Sequence, residues 1–155
     1  MALILACKML ENELKIKDVK GIIKLYKQFS RYDTNTPVEI LNHILPSLGH
    51  KQYKIHKDDD KIFAFTNWAY LNRDAEKRFK KTGRLLPADW KSGNKLWHID
   101  TVCQKDLKKV MAWTKKYFTE KFGVGHPIRW LRTTKDTIIR SNKKLTKESW
   151  LNGRI

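Results

Sequence analysis

Apolar residues recur three and four apart through residues 18–29, where Val19, Ile22, Ile23, Tyr26 and Phe29 fall on one face of a predicted helix. A second helix announces its own start. Thr36-Pro37-Val38-Glu39 places a capping Thr, a Pro at the first helical position and a Glu three residues after the cap. Ile40, Leu41, Ile44 and Leu45 supply its buried stripe, and Pro46 and Gly49 are expected to end it. The period then shortens. Residues 52–57 and 61–68 read as two strands around the polar turn Asp58-Asp59-Asp60. A short charged helix over 72–81 stops at Gly83, and a third strand covers 95–102. A long helix over 105–122 turns Leu107, Val110, Met111, Thr114, Tyr117 and Phe118 inward. Residues 127–133 and 137–140 read as further strands, and the tail from Ser141 is polar and basic. This order predicts an α+β domain over 1–155, with helices first and then an antiparallel-rich sheet crossed by a helix.

Composition sharpens that picture in one respect. At 41% hydrophobic and 11% aromatic residues the chain has enough apolar surface to build a core. Yet 33 Lys+Arg against 16 Asp+Glu leave a formal charge of +17. Residues 101–155 hold 14 Lys+Arg and four Asp+Glu, so that third alone carries +10. Such a field favours an anionic partner: nucleic acid, an acidic protein or an anionic membrane surface.

Several chemistries are set aside. Cys7 and Cys103 are too few for a disulfide framework and lack the neighbours of a zinc site, so no metal is expected. The Asp triplet lacks the spaced ligands and Gly of a calcium loop. The opening Met-Ala-Leu-Ile-Leu-Ala-Cys has no preceding basic residue and its apolar run stops at Lys8, too short for a secretory signal. No window approaches a membrane span, and a cytoplasmic protein is the expectation.

Three segments carry a family resemblance. Pro37-Val38 is followed by Leu45-Pro46 and Gln52-Tyr53, then by Asn67-Trp68-Ala69-Tyr70-Leu71, then by Asp89-Trp90-Lys91-Ser92-Gly93-Asn94-Lys95-Leu96-Trp97-His98-Ile99-Asp100. In order and spacing these resemble the toxin-activating lysine acyltransferases over residues 19–140. The resemblance implies a fold similar to the GNAT acetyltransferases. It also implies fatty acyl transfer from acyl carrier protein to a protein lysine, with no resident cofactor. The family places a catalytic His just before the Pro-Val pair and an Asp at the end of the Trp-x-Ile-Asp strand. Asp100 matches that Asp, and Ser30 and Asn35 fall where small polar residues flank the His. The His position itself is taken by Asp33, and no His lies within nine residues of it.

The chemistry wants an imidazole, because a lysine amine must lose a proton to attack a thioester. Asp33 is one candidate replacement, although an exposed carboxyl titrates near 4 and is a weak base at neutral pH. His98 is another: two residues before Asp100, it is expected on the same strand face, where Asp100 could orient its ring. His43, beside Ile44 and Leu45, reads as a packed or half-buried side chain. Trp68, Trp90 and Trp97 read as packing residues. Two readings compete with catalysis. One is a non-catalytic descendant of the fold, such as a phage virion or tail component. The other is nucleic-acid binding, in which Trp113-Thr114-Lys115-Lys116 and Arg129-Trp130-Leu131-Arg132 would offer stacking faces among cations to DNA or RNA.

Overall fold

The structure, a computed structural model, describes residues 14–135 and 137–152. Cys7 and the opening apolar run lie outside the described residues. Helix α1 is Ile16–Tyr26, and it buries Ile22, Leu25 and Tyr26. It stops short of Phe29 because the backbone tightens into successive turns, Gln28 N–H to Leu25 and Phe29 N–H to Tyr26. Those turns continue through Tyr32 N–H to Phe29 O, which brings Tyr32 back toward the sheet.

Helix α2 is Pro37–Gly49. Its capping box is complete, with Glu39 N–H donating to Thr36 Oγ1 at 3.2 Å and Thr36 N–H donating to Glu39 Oε1 at 2.9 Å. Such caps contribute about 1 kcal/mol. The helix does not end at Pro46: it runs on to Gly49, and the Pro46 carbonyl accepts from His50 N–H. The extra turn matters, because it keeps Ser47 on the helix one turn after His43.

Strands β1 (Tyr53–Asp58), β2 (Lys61–Leu71), β3 (Lys95–Cys103), β4 (Pro127–Thr133) and β5 (Ile138–Leu145) form one sheet in that order. Every neighbouring pair is antiparallel except β3 and β4, which run parallel. Helices α3 (Arg73–Thr82) and α4 (Leu107–Phe122) complete the order. The result is an α+β fold of the GNAT-like type expected. Ser141 onward is no loose tail. Residues 141–145 extend β5, pairing as far as Leu145 opposite Pro127, and the 3-10 turn Glu148–Asn152 buries Trp150.

The sheet separates two apolar layers. Ile22, Leu25, Tyr26, Ile40, Ile44 and Leu48 from α1 and α2 meet Phe65 and Val102 on one side. Phe118 of α4 meets Trp68, Leu96, Ile128 and Trp150 on the other. Trp68, Trp90 and Trp97 are all buried, as packing residues should be.

Two local features aim the site. The segment Asp89–Gly93 clamps the end of β2: Ser92 and Gly93 N–H both donate to Tyr70 O, and Tyr70 N–H donates to Trp90 O. A Cβ at Gly93 would lie 2.6 Å from the backbone of Leu71 and Asn72, so only glycine fits there. The second feature is a break in register. Asn67 pairs with Asp100, but Trp68 pairs with His98, leaving Ile99 as the extra residue of a β-bulge.

Candidate active site

The bulge decides which way the neighbouring side chains of β3 go. In a regular strand His98 and Asp100 would share a face. Here the same-face expectation fails. His98 lies edge-on to Phe118 of α4, with Nε2 at 2.8 Å from Thr101 Oγ1. Asp100 instead meets side chains from α1, α2 and the turn between them.

Asp100 is the hub of that cluster. Its Oδ2 accepts from Tyr26 Oη at 2.9 Å and lies 2.6 Å from His43 Nε2, while Oδ1 accepts from Tyr32 Oη at 2.5 Å. Its backbone N–H donates to the Oδ1 of fully buried Asn67, whose Nδ2 donates to Ser47 Oγ. Ser47 and His43 stand one turn apart on α2, so the helix is tied to the bulge at two points. Burial works to raise the Asp100 pKa, but the His43 charge, with donors from His43, Tyr32 and Tyr26, overcomes it and holds the value lowered to about 2. Burial, reinforced by the Asp100 charge, raises both tyrosines well above their ordinary value, so they stay protonated donors.

A carboxylate this acidic only accepts, which fixes the His43 tautomer. Nε2 carries the proton shared with Asp100, and in the neutral ring the lone pair resides on Nδ1. The His43 side chain keeps 31% of its surface exposed while that of Asp100 keeps 9%, so the imidazole is reachable and its anchor is not. Tyr26, Tyr32 and Trp90 surround the ring at centroid distances of 6.0, 5.4 and 6.0 Å. His43 is half-buried as its neighbours predicted. Its link to Asp100, 57 residues away, has no signal in the sequence.

The other candidates stand elsewhere. Asp33 is exposed: its carbonyl accepts from Lys27 Nζ at 2.8 Å and its carboxylate pairs with Lys135 at 3.2 Å. Ser30 is exposed and Asn35 half-buried. The Asn35 carbonyl accepts from Lys27 Nζ, and neither side chain bonds to Asp100 or His43. Burial lowers the His98 pKa to about 4, against the raising effect of Asp100, so that ring is neutral at pH 7.

Beyond the Trp97–Arg129 register point the parallel strands leave a cavity of about 400 Å³. Asp100 and His98 from β3, Phe118 from α4, Ile128 and Trp130 from β4, and Trp150 line it. A mostly apolar cavity of this size suits a small organic group, with Asp100 at its wall. Among the described residues no group of three or more His, Cys, Asp or Glu is placed to hold a metal ion.

The sequence profile of the RTX toxin acyltransferase family matches residues 12–147, nearly the whole chain. The chain belongs to that family. Its relatives include the RTX-II toxin-activating lysine-acyltransferase ApxIIC of Actinobacillus pleuropneumoniae, 28% identical over 70% of each chain. The protein-lysine myristoyltransferase HlyC of Escherichia coli is 33% identical over 59% of this chain and 55% of its own. The leukotoxin-activating lysine-acyltransferase LktC of a Pasteurella haemolytica-like strain is 31% identical over 52% and 54%.

This RTX acyltransferase relative offers few free aromatic faces to nucleic acid. Trp113 stacks on Tyr117 at 4.9 Å, Trp130 lines the cavity, and Arg129 reaches Glu76 at 3.6 Å. No helix among its described residues is long and apolar enough to cross a membrane.

Proposed function

We propose that this chain transfers a fatty acyl group from a carrier-protein thioester to a protein lysine, with His43 as general base in place of the histidine its loop lacks. The observation that carries the reading is the 2.6 Å pair between half-exposed His43 and the carboxylate of Asp100, whose residue also lines an apolar cavity. Asp33, by contrast, faces solvent in an ion pair.

The chemistry follows from the tautomer. His43 Nδ1 takes the proton of the incoming lysine amine as its nitrogen attacks the thioester carbonyl, and Asp100 stabilises the imidazolium that forms. The tetrahedral intermediate collapses with cleavage of the C–S bond. The departing thiolate recovers the proton from His43, leaving an amide on lysine and a free carrier thiol. The acyl chain lies in the cavity between β3 and β4, lined by Ile128, Phe118 and Trp130, with its thioester end at Asp100, the residue the cavity wall shares with the His43 pair. The overall charge of +17 favours an acidic carrier.

The test is acyl transfer from loaded carrier protein to a lysine-bearing acceptor, followed by intact mass. His43→Gln is expected to slow transfer by about 10² or more, while Asp33→Ala stays within about threefold of the parent. Transfer by His43→Gln at the parent rate would remove His43 from the mechanism. A folded parent protein that transfers nothing from an intact donor would end the enzymatic reading itself.

A further inference from the structure

The cavity has a charged mouth that the acyl-transfer chemistry does not use. Lys115 of α4 and Lys144 of β5 both line it, and both ammonium groups sit over one ring, that of Trp150, at 5.2 and 5.8 Å from its centroid. Trp150 is itself buried, 5% exposed, so it forms a fixed apolar floor under two cations. Lys147 adds a third charge. Partial burial lowers the Lys115 pKa, and the positive charges of Lys144 and Lys147 lower it further.

No carboxylate among the described residues neutralises them. None of the ion pairs among the described residues involves Lys115, Lys144 or Lys147. The contrast with the other lysine cluster is direct: Lys80, Lys95 and Arg129 converge on Glu76, a carboxylate that absorbs their charge. A partly desolvated cation beside two others, without a carboxylate, costs folding energy unless a ligand supplies the anion. An apolar cavity behind them fixes what else that ligand carries.

We infer that Lys115 and Lys144, over Trp150, form a binding site for a phosphate ester whose apolar end enters the cavity. Lysines suit phosphate as point charges, and among the described residues no arginine lines the cavity to select a carboxylate with its planar fork. Within the proposed function, on which this identification of the ligand rests, the phosphate is that of the carrier protein's phosphopantetheine arm. The same chemistry is offered by a phospholipid headgroup.

Calorimetry with two thioesters differing only at the phosphate separates these cases. The full chain is titrated with S-octanoyl phosphopantetheine and with S-octanoyl pantetheine. It is also sedimented with vesicles of phosphatidylglycerol and of phosphatidylcholine. Binding of the phosphorylated thioester about tenfold tighter than its partner is expected, with the ratio falling to near one in Lys115→Gln/Lys144→Gln. That variant keeps Trp150 and His43, and with two repelling charges removed it should melt no lower than the parent. Discrimination confined to the anionic vesicles, and lost in the same variant, supports the site with a headgroup as occupant. No discrimination in either pair, or discrimination that survives the double variant, overturns it. The functional reading fails separately: a parent protein that binds the phosphate selectively but transfers no acyl group keeps the site and loses the reaction.

Discussion

Two histidines approach the bulge at Ile99 from opposite faces of the sheet, and their environments assign them opposite roles. His43 meets a carboxylate held near pKa 2 and keeps a third of its side chain in solvent. His98 meets a threonine hydroxyl and an aromatic edge, and burial strips it of its charge. Proximity in sequence favoured His98, two residues from Asp100. The fold favours His43, because a carboxylate orients an imidazole only through a hydrogen bond, and the bulge aims that bond at α2.

The severest test of the contrast is Asp100→Asn. The amide keeps the shape but cannot hold the Nε2–H tautomer or offset an imidazolium, so acyl transfer should fall about 10³-fold. His98→Gln, measured in the same discharge assay, should stay within about threefold of the parent. Equal losses in the two variants would erase the distinction between the faces.

Stability against pH reads the same contrast without substrate. Below its ordinary value near 6.5 an unfolded histidine takes up a proton, whereas folded His98 stays neutral down to about 4. The unfolded state then binds more protons, so stability falls as pH drops through that window. The fall amounts to up to about 3 kcal/mol for a shift of this size. His56, lowered to about 4 by burial and then by Lys54 and Lys109, adds a similar slope. Urea melts from pH 7 to 4 should show the combined loss, and His98→Gln should remove roughly half of it. Asp100 acts lower down. Its depressed pKa contributes stability that is complete above about 4 and lost as pH falls through about 2.

Local features of the chain were readable in advance, and cross-strand ones were not. The capping box at Thr36 and the αL glycine after α3 are fixed by neighbouring residues, and both helices form where those signals stand. The bulge is different in kind, because it exists only in the register between Asn67 and Asp100. His43 was hidden for the same reason: its neighbours in sequence are Ile44 and Leu45, while its partner is on β3. Pro46 misled by a general rule: it has no N–H to give the Asn42 carbonyl, yet the helix runs on to Gly49, where Ser47 and Leu48 are buried. The polar tail misled by composition. Ser141–Leu145 alternates too weakly to announce a strand, yet it finds hydrogen bonds along β4, and Trp150 supplies the apolar anchor.

Smaller effects should separate the faces again. Tyr32→Phe keeps the ring beside His43 and removes one donor to Asp100, a hydrogen bond to a buried charge worth about 1.5 kcal/mol. The Asp100 pKa should rise, and acyl transfer should weaken by less than in Asp100→Asn. Thr66 supplies the opposite case. It follows Phe65 and precedes Asn67, both of which face α1 and α2, so alternation turns Thr66 to the other layer. Its hydroxyl is fully buried and has no hydrogen-bond partner among the described residues. Thr66→Val replaces that hydroxyl by a methyl of similar size. It should leave stability unchanged or raise it by about 0.5–1 kcal/mol. Destabilisation by Thr66→Val in a urea melt would mean that the layer under α4 also depends on polar contacts, and the division of labour between the two faces would fail there.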